Sequence, residues 1–168
     1  DLVVSSDKTY HAVYYYYDEE EDIDWSKEFT TSIYADVNGT KYFLAGTPSS
    51  GTMSSTTDCG YVSEVTITPG TGANAEKYKI TVDGVGMAPE AGETDLVAGT
   101  AWWTITETSA GSGEYKISGQ DKRNIVLRNS SFGHYSYNAG SSYGAGYYYP
   151  RFGKCLEHHW TSNPTPKP

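Results

Sequence analysis

Six carboxylates fall within seven positions, Asp18, Glu19, Glu20, Glu21, Asp22 and Asp24, broken only by Ile23 and followed by Trp25. Such density repels itself unless water or a cation screens it. Calcium takes roughly six to eight oxygens from clustered acids and carbonyls, which makes Asp18, Glu20, Asp22 and Asp24 candidate metal ligands. The Gly-bearing spacing of an EF-hand loop is absent, and a solvated acidic loop is the plainer reading. Cys155, Glu157, His158 and His159 form a second metal-capable group, yet adjacent histidines seldom face one ion and no partner group has zinc-like spacing. This stretch reads as a surface tail. Gly140-Ser141-Ser142-Tyr143-Gly144 matches the G-x-S-x-G string, which signifies a nucleophile only on a strand-to-helix elbow; around Ser142 the sequence is a Gly, Ser and Tyr loop. No H-E-x-x-H, P-loop, dinucleotide fingerprint or paired C-x-x-C occurs. A glycosidase-type pair of carboxylates needs no motif, but few acids fall inside the predicted strands. The sequence therefore assigns no catalytic residue, and no enzyme is expected.

The 16 tyrosines are the most unusual feature. They gather at Tyr14, Tyr15, Tyr16 and Tyr17, and again at Tyr135, Tyr137, Tyr143, Tyr147, Tyr148 and Tyr149. Side chains alternate between the two faces of a strand, so part of each cluster is expected to face water. Exposed rings can stack on sugars, seat a neighbouring subunit or simply pack. Trp102 and Trp103 should likewise point to opposite faces, Trp103 inward in step with Ile105 and Trp102 outward. Trp102, Tyr135, Tyr137, Tyr143, Tyr147 and Tyr149 are the ligand-binding candidates. Tyr14 to Tyr17 are the assembly candidates.

Cys59 and Cys155 lie far apart and match no metal or redox spacing. Either they form one disulfide, stabilising the fold by about 4 kcal/mol in the chain-entropy model, or they are separate buried thiols. Asn38-Gly39-Thr40 and Asn129-Ser130-Ser131 are glycosylation sequons usable in a secretory host. Low Lys content with abundant Gly, Ser, Thr and Tyr points to an extracellular, secreted or cell-surface setting. The net charge of −9 disfavours nucleic acid, because a phosphate backbone needs a basic patch; Lys122, Arg123 and Arg128 are too sparse to make one. No run is long enough for a spanning helix, and Asp1-Leu2-Val3-Val4 lacks the blocks of a signal peptide, so a soluble, processed chain without membrane insertion is expected.

These residues must be positioned by strands. No window has helical periodicity, whereas short β-branched and aromatic runs recur between Gly, Asn, Asp, Ser and Thr clusters. Predicted strands are Thr9 to Tyr17, Phe29 to Asp36, Tyr42 to Ala45, Val62 to Thr68, Lys77 to Val82, Ala101 to Thr106, Glu114 to Ser118, Asn124 to Arg128, Phe132 to Tyr137 and Tyr147 to Phe152. Asn38-Gly39 and Asp83-Gly84 suit the positive φ of tight hairpins. Ala110-Gly111-Ser112-Gly113 should join Trp103-Thr104-Ile105 to Tyr115-Lys116-Ile117. A single all-β domain is expected over residues 1–160, with an N-terminal strand and acidic loop over 1–28, core units over 29–154, and a Pro-rich tail or linker over 161–168.

A repeat of roughly forty residues emerges. Ile33, Ile80 and Ile117 lead, Leu44, Met87 and Leu127 follow, and Ile67, Ile105 and Tyr149 close each unit. Over Phe29 to Lys154 this pattern resembles the module of the β-trefoil fold, seen in ricin-type lectins and Kunitz-type inhibitors. The resemblance implies a closed barrel of three units plus the N-terminal strand; an antiparallel β-sandwich is the alternative. The leading isoleucines are unequally spaced, and the Gln-x-Trp signature of ricin-type sugar pockets is absent, so no sugar-binding residue carries over. Arg123 to Asn129, Phe132 to Tyr135 and Tyr148 to Phe152 are similar to the C-terminal pattern of small β-rich modules on secreted and surface proteins of Bacteroidetes-like bacteria. That resemblance implies a cell exterior.

Three functions follow as expectations. The first is a non-catalytic extracellular module that binds carbohydrate through exposed Tyr and Trp. The second is a structural subunit of an extracellular fibre, pilus or virion surface, in which Leu2 to Tyr17 adds as a strand to a neighbour. The third, implied by the trefoil resemblance, is a protease inhibitor. The partner is thus a glycan, a protein surface or another copy of the chain, with calcium as the sole candidate cofactor.

Overall fold

The computed structural model describes residues 11–19, 23–90, 93–120, 123–136 and 146–161. They form strands β1 (His11–Glu19), β2 (Phe29–Thr31), β3 (Ile33–Val37), β4 (Thr40–Ala45), β5 (Met53–Thr56), β6 (Val65–Pro69), β7 (Tyr78–Val82) and β8 (Val85–Pro89). The series continues with β9 (Leu96–Ala98), β10 (Thr104–Glu107), β11 (Tyr115–Ser118), β12 (Asn124–Arg128), β13 (Ser131–Tyr135), β14 (Tyr147–Tyr148) and β15 (Arg151–Thr161). No helix among the described residues is long and apolar enough to cross a membrane.

The turns arise where residue chemistry requires them. Asn38 and Gly39 take φ of 53° and 91°, closing β3 onto β4 with Tyr34 opposite Phe43. Asp83 and Gly84, at 50° and 82°, do the same between β7 and β8. Ile105 stands opposite Ile117 across the β10–β11 hairpin, as the sequence predicts. Asn129 and Ser130 close β12 onto β13 at φ of 50° and 64° without any glycine, a conformation that Asn tolerates far better than Ser.

The ladders form two open antiparallel sheets, sandwich-like, rather than the expected closed trefoil barrel. One sheet runs β1-β15-β3-β4-β5-β13-β12-β11-β10, with β14 on β12, and the other runs β2-β6-β7-β8-β9. The repeat anchors Ile33, Leu44, Ile67, Ile80, Met87, Ile117 and Leu127 are all buried in one core shared by both sheets. Apolar spacing thus reports which residues point inward, but many pairing schemes satisfy the same inward pattern. The run expected as one strand from Phe29 to Asp36 breaks at buried Ser32, so β2 joins the smaller sheet and β3 the larger. β15 extends through His158 and His159 and pairs with β1 from Gly153 to Thr161, so that stretch is strand rather than the expected tail.

Candidate functional site

The loop from β5 to β6, which no motif marks, carries both a half-cystine and the exposed Tyr61. Its short 3-10 turn, Cys59–Tyr61, is capped by Asp58, whose carboxylate accepts from the Gly60 amide at 2.8 Å. The Asp58 amide donates to the Thr56 hydroxyl at 3.0 Å, and the Tyr61 amide donates to the Asp58 carbonyl at 3.0 Å. On the far side, Ser63 is tied to β4 and its end: its amide donates to the Leu44 carbonyl at 3.0 Å and its hydroxyl to the Gly46 carbonyl at 2.8 Å.

Cys59 and Cys155 are bonded, with Cα atoms 5.4 Å apart, which joins this loop to β15. A depression of about 180 Å³ lies beside the bond, lined in part by Thr31, Ser63 and Lys154. Tyr61, at the end of the 3-10 turn, is 73% exposed, the one large hydrophobic side chain so exposed among the described residues. Composition carried one usable signal for this loop, the Asp-Cys-Gly turn chemistry beside a half-cystine.

The expected sites fare differently. Trp103 is fully buried, as predicted, and its indole N–H donates to the Met87 carbonyl at 2.9 Å. Trp102 is half-buried rather than an open platform: the Lys79 ammonium lies 4.9 Å from its ring centre. Tyr135, Tyr147 and Tyr149 are half-buried too. The Arg128 guanidinium sits 5.8 Å from the Tyr135 ring and 4.8 Å from the Tyr147 ring, which themselves meet edge-on at 5.7 Å. Tyr137, Tyr143 and Ser142 lie outside the described residues.

Tyr14 to Tyr17 lie in β1, opposite His158 to Cys155 of β15. Asp18 is also in β1, Glu20 and Asp22 fall outside the described residues, and Asp24 closes a local turn. The Ser26 hydroxyl and amide hold the Asp24 carboxyl below the usual carboxylate range, with Lys27 4.0 Å away. Among the described residues no three His, Cys, Asp or Glu side chains gather as a metal site. Both sequon asparagines, Asn38 and Asn129, are exposed at turns.

A separate aromatic group supports the body beneath. Trp25 meets Phe29, Tyr78, Tyr115 and Phe152 at ring separations of 5.2, 5.4, 5.7 and 5.7 Å. Burial pushes the Tyr78 and Tyr115 phenols above their ordinary pKa, and the neighbouring Glu76 and Glu107 respectively add to it. Burial does the same to Tyr135, against the opposing charge of Arg128. The unfolded chain therefore loses these protons first, so stability should be intact below about pH 10 and fall as pH rises beyond it. In a spectrophotometric titration these phenols should ionise after the exposed ones, with the urea midpoint falling across the same range. A midpoint that rose with pH there would contradict this account.

No protein-family model matches the chain, and no curated protein sequence matches it. Among solved structures, the fold is similar to that in the high-resolution structure of a proteinase inhibitor from Coprinopsis cinerea. The match has 15% sequence identity and a TM-score of 0.51, and covers 76% of this chain and 98% of that one. At this identity the likeness is one of fold.

Proposed function

We propose that the chain is a non-catalytic extracellular module that binds and inhibits proteinases. The observation that carries this reading is the fold similarity to a proteinase inhibitor across nearly the whole of that chain. The Cys59–Cys155 bond is consistent with an oxidising exterior, and the tied β5–β6 loop offers the kind of pre-ordered protein-binding element that limits the entropy lost on association.

The carbohydrate reading draws less support, because Lys79 lies over the Trp102 ring and Arg128 over the Tyr135 and Tyr147 rings. Those cations occupy aromatic faces that a sugar would need. Self-assembly through the N-terminal strand draws no specific support either: β1 pairs with the chain's own β15 and ends its sheet, so a neighbour would have to join along its outer edge.

The test is a panel of purified proteinases, of chymotrypsin, trypsin and papain type, assayed by progress curves. At least one should be inhibited with a constant below about 1 µM, equivalent to roughly 8 kcal/mol of binding. Full activity of every enzyme at saturating protein would overturn the reading, and specific retention on a glycan array would then favour the carbohydrate alternative.

A further inference from the structure

We infer that Tyr61 is the anchor by which the β5–β6 loop enters a proteinase, filling an apolar specificity pocket of the kind that accepts aromatic side chains. This rests on the inhibitor reading above and adds the site and the class of enzyme.

A single exposed aromatic is ordinary on a protein surface. Tyr61 is distinguished by what holds it. The loop is fastened covalently at Cys59, two residues before the ring. It is fastened again at Ser63, two residues after, by two hydrogen bonds to the chain at and just beyond the end of β4. Val62 adds a bridge to Ala45. Asp58 orders the turn between these anchors. A ring presented at 73% exposure on so fixed a base loses little backbone freedom on docking, and tyrosine combines an apolar body with a polar tip that suits deep insertion.

Charge selects among pockets. Residues 57–64, Thr-Asp-Cys-Gly-Tyr-Val-Ser-Glu, contain no Lys or Arg but do contain Asp58 and Glu64. A trypsin-type pocket carries a carboxylate at its base and would gain nothing from this loop, whereas an apolar slot accepts an aromatic ring. The fastening also explains how such a loop would withstand the enzyme it blocks: a cut near Tyr61 would leave both new ends tethered, favouring rejoining over release.

The experiment compares wild type, Tyr61→Ala and Tyr61→Lys against chymotrypsin-type and trypsin-type enzymes, with thermal melts as a folding control. The side chain is largely in water, so all three should melt alike. Wild type should inhibit the chymotrypsin type, Tyr61→Ala should weaken that inhibition by about 100-fold, and Tyr61→Lys should transfer it towards the trypsin type. Inhibition of any enzyme that survives Tyr61→Ala within about 3-fold overturns this inference and leaves the inhibitor reading standing. Absence of inhibition by wild type overturns both.

Discussion

Replacing Trp103 with alanine is expected to cost the fold about 3–5 kcal/mol, the range for removing a large aromatic side chain from a well-packed core. Trp103 is the largest of the fully buried side chains and belongs to the core shared by both sheets. Its backbone exchanges two hydrogen bonds of 2.8 Å with Tyr78 of β7, so this residue links the larger sheet, just ahead of β10, to the smaller one. Truncation would open a void there and strand the Met87 carbonyl, which now accepts from the indole at 2.9 Å. An orphaned buried acceptor adds about 1–3 kcal/mol to the void, so Trp103→Phe should recover packing but not the full stability. The measurement is urea unfolding, read as a fall in midpoint at constant slope. A loss below about 1 kcal/mol for the alanine variant would mean the sheets are joined elsewhere.

The fold was legible wherever a residue's own chemistry settles its place. Asn38-Gly39 and Asp83-Gly84 announce hairpins because few other pairs accept two positive φ angles. Ile33 and Ala35, Ile80 and Val82, and Ile125 and Leu127 join the shared core at a spacing of two, while Tyr34 and Val126 between them are buried outside that cluster. Strands β5 and β8 are not legible in the sequence because Ser, Gly and Pro interrupt them, residues that carry little β propensity of their own, and β9 is a run of only three residues, Leu96–Ala98. They are strands because neighbours pair with them.

Sheet closure was illegible for a related reason. Alternation fixes a face, while ladder order depends on contacts between distant residues, such as β15 lying between β1 and β3. The candidate site shows the same division. That Trp103 points inward follows from its alternation with Ile105. That Trp102 is covered does not, since its neighbours Lys79 and Gly70 come from elsewhere in the chain, and a Cβ at Gly70 would strike the indole. Tyr61 is not legible as a site because one ring among 16 tyrosines carries no periodic signal. Its exposure is created by the turn beneath it.

Removing the disulfide, as Cys59→Ser with Cys155→Ser, should have the other large effect. The bond spans a sequence separation of 96 residues, and closing a loop of that length restricts the unfolded chain enough to stabilise the fold by about 4–5 kcal/mol. Its position in the fold adds a local consequence. β15 pairs with β3 at Arg151 and Phe152, and Cys155 lies three residues beyond that contact, where the recorded ladder partner is β1 alone. The covalent link therefore holds the start of the β1–β15 ribbon against the body of the protein at the same point that it holds the Tyr61 loop.

Two readouts should separate these roles. The midpoint of urea unfolding should fall by the amount that loop closure predicts. Under conditions where the double variant remains fully folded, its β5–β6 loop should become a preferred site of proteolytic cleavage near Tyr61, and inhibition of an aromatic-specific enzyme should weaken and become transient. A variant that lost stability yet kept the loop intact to protease would assign the bond to the fold alone, because a loop fastened only through Asp58 and Ser63 would then have proved rigid enough. Loss of loop protection without a change in midpoint would instead mean that the unfolded chain is already compact across this span, leaving little entropy for the cross-link to remove.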